Sequence, residues 1–342
     1  MKKFVTSASA VLGTVLVCFS TSMPAFAATA ANNSTASAPG TGQALEIAPP
    51  LITLTVNPDQ TVKAQLQLRD IAKTDLVVTN EVNDFVAAGE SGTPKILTGD
   101  DSNNPYTLKS WVAPLPSFTL APQKIESLTV KINVPADASP GGHYGVIRFT
   151  GTPPQLNGTG VSLSASLGAL VLLTVNGKLT HKLSVDEFSV NNGGSAKTLF
   201  QSPPLNFVVR LKNSGNVQEE PAGHIVVTDM FGKPVGSMNI NLPPHNILPS
   251  SIRKFVNTFD QTAYGTRHLF GHYTAELTVS YGAGTQSVLN AKLGFWIIPY
   301  KLIGIIVAVL LVLFFGIRFL LRWYKKRLIA NIQKSSQKSS KN

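Results

Sequence analysis

Residues 61–69, TVKAQLQLR, place Val62, Ala64, Leu66 and Leu68 on one side and Thr61, Lys63, Gln65, Gln67 and Arg69 on the other. A strand with one buried face requires this alternation, whereas a helix of about 3.6 residues per turn would scatter the same apolar side chains around its circumference. The pattern returns in SLTVKINV (127–134), LNFVVRLK (205–212) and YTAELTVSY (273–281), with Gly, Pro and Asn turns between the segments. No convincing helical period precedes the C-terminal apolar stretch. The expectation is an all-β chain of two tandem immunoglobulin-like β-sandwiches, followed by a single C-terminal transmembrane helix.

Two apolar runs bracket the alternating part. Lys2 and Lys3 precede an apolar run over 11–19, and AFAA at 25–28 offers Ala25 and Ala27 as small residues for cleavage, so 1–27 reads as a secretory signal peptide. Cys18 lies inside that run and is the one cysteine of the sequence, so the mature chain holds together without disulfides. The second run is uninterrupted over 302–317 and is flanked by Pro299 and by Trp296, Tyr300, Trp323 and Tyr324, aromatics of the kind that mark membrane interfaces. The transmembrane helix is therefore expected over 295–321.

The net charge of +11 belongs to the membrane flanks. Once Lys2, Lys3, Lys301, Arg318 and the basic residues of the tail are set aside, basic and acidic side chains balance, which excludes nucleic acid as a partner of the exported part. The tail over 322–342 orients the chain with its C-terminus in the cytoplasm and the ectodomain outside the cell membrane. Residues 28–44 are small, polar and aperiodic and read as a flexible leader. The remaining length divides into a first sandwich over 45–177 and a second over 178–294, with Asn176 and Gly177 breaking the long apolar run that ends the first.

An internal repeat accompanies this division: Gly142-His143-Tyr144 and Gly271-His272-Tyr273 each precede a strong strand pattern. The stretch VPADASPGGHYGVIRF (134–149) reverses the chain through Pro and Gly and then turns apolar. By analogy with immunoglobulin-like sandwiches, Tyr144 and Tyr273 are expected to be structural corner tyrosines, each returning its hydroxyl to the backbone of the preceding corner.

Catalytic chemistry finds little to use. The mature chain carries no nucleophile elbow, metalloprotease helix, phosphate loop or cysteine nucleophile, so a non-enzymatic protein without a cofactor is expected. His268 and His272 are four apart, but Gly271 argues against the helix that would make them metal ligands. Asp100 and Asp101, in GDDSNNP, are oxygen donors of a weak calcium candidate without a downstream acid to complete it. Tyr106, Trp111 and Phe118 lie in the Pro-rich connection NPYTLKSWVAPLPSF (104–118), where rings could meet a sugar or a peptide, although a sandwich tryptophan is commonly core.

The order of parts resembles the WxL-interacting proteins of Gram-positive surfaces. LTVNPDQTVKAQLQLRD, SWV and FTLAPQKIESLTVKINVPADASPGGHYGVIRF carry the likeness in the first domain, and LKNSGNVQEEPAGHIVVTDMFGKPV with LPPHNILPSSIRKF carries it in the second. The resemblance implies a peptidoglycan-binding first domain, a second domain that binds surface or host molecules, and surface protein partners bearing WxL domains. The expected function is a membrane-anchored surface protein binding cell-wall peptidoglycan, surface proteins or both. The alternative is an accessory subunit of an export, pilus or transport assembly that uses an exposed sheet edge.

Overall fold

The computed structural model describes residues 45–71, 74–99, 104–153, 164–265, 269–284 and 286–339. The expected signal peptide and leader lie outside the described residues, as do Asp100, Asp101 and His268. The first sandwich is built from β1 (Leu45–Ala48), β2 (Leu51–Val56), β3 (Thr61–Asp70), β4 (Leu76–Ala88), β5 (Thr93–Leu97), β6 (Phe118–Leu120), β7 (Ile125–Asn133), β8 (Gly141–Thr152) and β9 (Ala165–Val175). The second comprises β10 (Leu183–Asn191), β11 (Leu199–Phe200), β12 (Leu205–Asn213), β13 (Ala222–Asp229), β14 (Pro234–Ile240), β15 (Ile252–Phe259), the short helix α1 (Gln261–Tyr264), β16 (Gly271–Tyr281) and β17 (Ser287–Ile297).

Both sandwiches have one topology. A sheet ordered β1-β3-β7 faces one ordered β2-β9-β8-β4-β5, with β6 added to β4, and β10-β12-β15 faces β11-β17-β16-β13-β14. In each copy the first strand changes sheets: β1 pairs antiparallel with β3 and β2 pairs parallel with β9, as β10 does with β12 and β11 with β17. Pro49 and Pro50 enforce the break in the first copy, since proline has no N–H for either ladder. The structure thus comprises two tandem immunoglobulin-like β-sandwiches.

Alternation drives the packing. Ala64, Leu66 and Leu68 of β3 and Val130 and Ile132 of β7 are buried against Ile147, Phe149, Val171 and Leu173 of the facing sheet. In the second core, Phe207 sits in edge-on contact with Phe259 and Phe295 at 6.0 and 5.6 Å between ring centroids. Strand β8 departs from one-sided burial: Ile147 and Phe149 face the first core, while Tyr144 and Val146, on the opposite face, join Phe85 and Leu172 in a separate apolar cluster that Leu248 of the second sandwich packs against. That outer face turns the two sandwiches toward each other.

Helix α2 (Tyr300–Ser339) follows β17. Within its first 26 residues, Tyr300–Lys325, an 18-residue window reaches a mean hydropathy of 2.8 and no part of that window is buried by protein, so the helix is long and apolar enough to cross a membrane. It begins later than the sequence reading placed it. Phe295 and Ile297 are buried core residues at the end of β17, and Pro299 then occupies the position before the first helical turn, where its missing N–H costs nothing.

Replacing Phe207 by Ala removes the ring on which Phe188, Phe259 and Phe295 converge, and it should cost about 3–5 kcal/mol of second-sandwich stability. Urea unfolding of the full chain in detergent, followed by circular dichroism, measures this. A loss below about 1 kcal/mol would contradict the packing described.

Candidate partner-binding site

The join between the sandwiches fixes the geometry of everything exposed around it. Asn216, in the loop after β12, is its hub. Its backbone carbonyl accepts from Gly142 N at 2.8 Å, and its side-chain amide donates to the carbonyls of Pro140 and Lys178 at 3.0 and 3.1 Å. Its Oδ1 accepts from Thr180 N at 2.7 Å. Gly141 makes this approach possible: its φ is +130°, and a Cβ there would lie 2.4 Å from the Asn216 carbonyl oxygen. On the other flank Glu90, at the β4–β5 turn, accepts from Arg210 Nε at 2.7 Å, and Arg210 also pairs with Glu187. The linker is tied as well, because His181 Nδ1 lies 2.6 Å from the buried Glu219, whose other oxygen accepts from Gly282 N.

Tyr144 belongs to this join and not to a corner. Its hydroxyl donates to Gln218 Oε1 at 3.0 Å, Gln218 Nε2 donates to Thr174 Oγ1, and the ring sits between Phe85 and Tyr106 at 6.0 Å from each. Burial pushes the phenol well above its ordinary range, with Tyr106 adding to the rise and the Gln218 bond opposing it. The corner position of the first copy is held by His143, whose ring nitrogens lie 2.9 Å from the carbonyls of Ser139 and Thr107. The physical reason is a one-residue offset. Tyr273 stands two residues after the positive-φ Gly271, whereas Tyr144 stands three after Gly141, and one step along a strand turns a side chain to the opposite face. Tyr273 is directed into the second core, its hydroxyl 2.9 Å from Phe270 N and 3.3 Å from Phe270 O.

The three expected binding aromatics are dispersed. Trp111, in a one-turn helix over Lys109–Trp111, is 9% exposed, with its ring centroid 4.2 Å from that of His143. Phe118 packs against the first core from β6, and Tyr106 lies in the join with its hydroxyl 3.4 Å from Ser250 Oγ. They share no surface, because the connection folds back over the sandwich instead of projecting from it. No group of three His, Cys, Asp or Glu side chains among the described residues is arranged to hold a metal.

Two other features bear on binding. A cleft of about 200 Å³ between the sandwiches is lined by Leu51, Phe85, Leu170 and Leu172 on one side and by Ile247, Leu248 and Arg253 on the other. Arg253 donates to the Asn246 carbonyl at 2.8 Å, and burial lowers its pKa. The second feature is an open edge. Strand β17 pairs with β16 throughout, but among the described residues its other side meets only β11, at Leu199↔Trp296 and Phe200↔Ile297.

Parity identifies the free groups on that edge. Trp296 N donates outward, to Thr198 O at 2.7 Å, so in an antiparallel pair Val288, Asn290, Lys292 and Gly294 direct their N–H and C=O groups the same way. Leu289, Ala291 and Leu293 point between the sheets and are only partly buried there. In the first sandwich β2 covers β9 from Leu170 to Val175, so among the described residues only 165–169 of β9 are left without a strand on that side. Sequence reasoning missed the β17 edge because paired and unpaired strands alternate alike. The polar run NNGGSAKT (191–198), which leaves β11 two residues long, is the signal for it.

No family model and no curated protein matches the sequence. Among solved structures the chain is similar to the YadV chaperone, at 13% identity over 73% of this chain and 100% of that one, with a TM-score of 0.35. It is similar to the Salmonella enterica SafA pilin in complex with the SafB chaperone, at 12% identity, 73% and 96% coverage and a TM-score of 0.36. The ASH / PapD-like domain 7 of human CEP192 matches at 17% identity over 40% of this chain and 87% of that domain, with a TM-score of 0.28.

The raised pKa of Tyr144 has a consequence for alkaline stability. The unfolded chain releases this proton near 10.0 while the folded chain retains it, so stability is undiminished below that pH and falls above it. Replacing Tyr144 by Phe should cost about 1 kcal/mol at neutral pH through the lost bond to Gln218, and it should make the alkaline decline shallower. Urea unfolding between pH 7 and about 11 tests both, and an unchanged alkaline slope in the variant would refute the assignment.

Proposed function

We propose that this chain is a non-enzymatic, membrane-anchored binding protein whose second sandwich accepts an extended segment of an exported or surface protein as an added strand along β17. The unpaired edge over residues 287–295 carries this reading. Exposed edges are ordinarily blunted by proline, inward charge or a bulge, and this one has none of them. Its single cation, Lys292, is on the outer face and pairs with Glu276 at 2.6 Å.

An added strand would bond to the N–H and C=O groups of Val288, Asn290, Lys292 and Gly294, at about 0.5–1.5 kcal/mol net per bond. Its alternate side chains would cover Leu289, Ala291 and Leu293. The preferred segment is therefore extended, with every second residue apolar. Support for the membrane anchor is α2, and the basic residues beyond its apolar window support an external ectodomain and a cytoplasmic C-terminus. The resemblance to WxL-interacting proteins favours wall-associated protein partners. Peptidoglycan stacking has less support, because Tyr106, Trp111 and Phe118 form no common platform.

Changing Lys292 to Pro removes one outward N–H while leaving the ladder to β16 intact, so the fold should survive with a loss of about 1 kcal/mol or less. A photo-crosslinking residue at Asn290, in membranes that retain their wall proteins, should yield an adduct to one partner segment of alternating pattern. The adduct should disappear with Lys292→Pro and persist with Lys292→Ala. Equal crosslinking in both variants would sink the strand-addition reading.

A further inference from the structure

The β13–β14 hairpin has an unusual tip. Asp229 organises it: the side-chain Oδ1 accepts from Phe231 N and Lys233 N, both at 2.9 Å, and the backbone carbonyl accepts from Gly232 N at 3.0 Å. Gly232 supplies the positive φ, +77°, that closes the turn. Such a preorganised turn normally presents polar residues at its apex. Here the apex is Met230 and Phe231, 53% and 81% exposed. Phe270, 61% exposed, precedes Gly271, the glycine over which the Met230 methyl lies: a Cβ on Gly271 would meet it at 2.4 Å. The patch is apolar, sits on a hydrogen-bonded turn and is uncovered by any described residue.

Its position in the sheet identifies what covers it. Asp229 pairs with Tyr273, Tyr273 with Phe295, and Gly271 with Ile297. The hairpin tip therefore lies at the end of the sheet from which the chain leaves for α2, two strands from β17, or about 10 Å to the side. Only Ile298 and Pro299 separate Ile297 from the first residue of the helix, a reach of about 10 Å. Trp296 and Tyr300, both half-exposed aromatics, mark the same level.

We infer that Met230, Phe231 and Phe270 form a second membrane contact, seated in the interface of the bilayer that α2 enters, so that the second sandwich rests on the lipid surface through its β13–β14 hairpin. This rests on the reading that α2 crosses a membrane. The hairpin tip and the helix start are level along the strand direction, and an interface several ångströms deep accommodates exposed Phe and Met side chains beside a Lys. Lys233 next to the tip and Lys301 at the helix start place cations at headgroup depth.

Spin-label depth measurements on the full chain, with Cys18→Ser and reconstituted in vesicles of phosphatidylcholine and phosphatidylglycerol, test this directly. Labels are placed on Phe231→Cys, on Gln286→Cys at the opposite end of the same sheet, and on Val309→Cys within α2. The expected result is a label at Phe231 accessible to dissolved oxygen and shielded from an aqueous nickel chelate, with the Gln286 label in water and the Val309 label deep in lipid. If the Phe231 label is as wet as the Gln286 label while the Val309 label is in lipid, the hairpin contact is overturned and the spanning helix stands. If the Val309 label is also in water, the underlying reading fails. A label on Met230→Cys controls for the probe's own affinity for lipid: adding Phe231→Asp should move it into water, and an unchanged depth would overturn the role assigned to these side chains.

Discussion

Burial of β8 on both faces is the constraint on which the rest depends. Ile147 and Phe149 complete the first core, and Tyr144 and Val146 press against Phe85, Leu172 and Leu248 in the join. With about 1.5–3 kcal/mol for each large apolar side chain withdrawn from water, a few such residues suffice to make two sandwiches one body. A sheet face buried this way leaves its polar atoms in need of partners, and the Tyr144 hydroxyl meets Gln218 for that reason. Without the close backbone approach permitted at Gly141, the Asn216 carbonyl could not reach Gly142 N.

Much of the fold was legible in the alternation. The buried side chains Ala64, Leu66, Leu68, Val130 and Ile132 are those that the period-2 segments set on one face, because burying one face is what alternation does. The Gly-His-Tyr repeat correctly indicated that two strands begin alike, since β8 and β16 hold equivalent places in the two sheets. It misled about Tyr144, though not about Tyr273, because a three-letter match ignores where the glycine bend falls. Tyr106, Trp111 and Phe118 are candidates because they share a Pro-rich connection, with core as the other reading of Trp111; composition does not say whether such a connection projects or lies flat, and Trp111 is buried. An open edge is a property of a missing neighbour and leaves no mark on the strand that lacks it.

The copies share a topology and differ in how they finish one side. Six residues of β2 cover the last strand of the first sandwich, whereas two residues of β11 do so in the second. The difference arises in the connection between the two halves of the first strand: two prolines make a short switch, and a long polar loop makes a late one. A change of loop length, with no change in the hydrophobic pattern, thus converts a closed side into an open one.

The short passage from β17 into α2 also determines how the molecule bears load. Tension between the membrane and anything held against β17 runs along that strand's own axis, which is bonded to β16 over the whole of Ser287–Ile297. The hydrogen bonds of that ladder lie across the pull and share it simultaneously, in shear, so none is exposed to being peeled away first. The strand that ends at the anchor is therefore the one best placed to resist being drawn out of the fold.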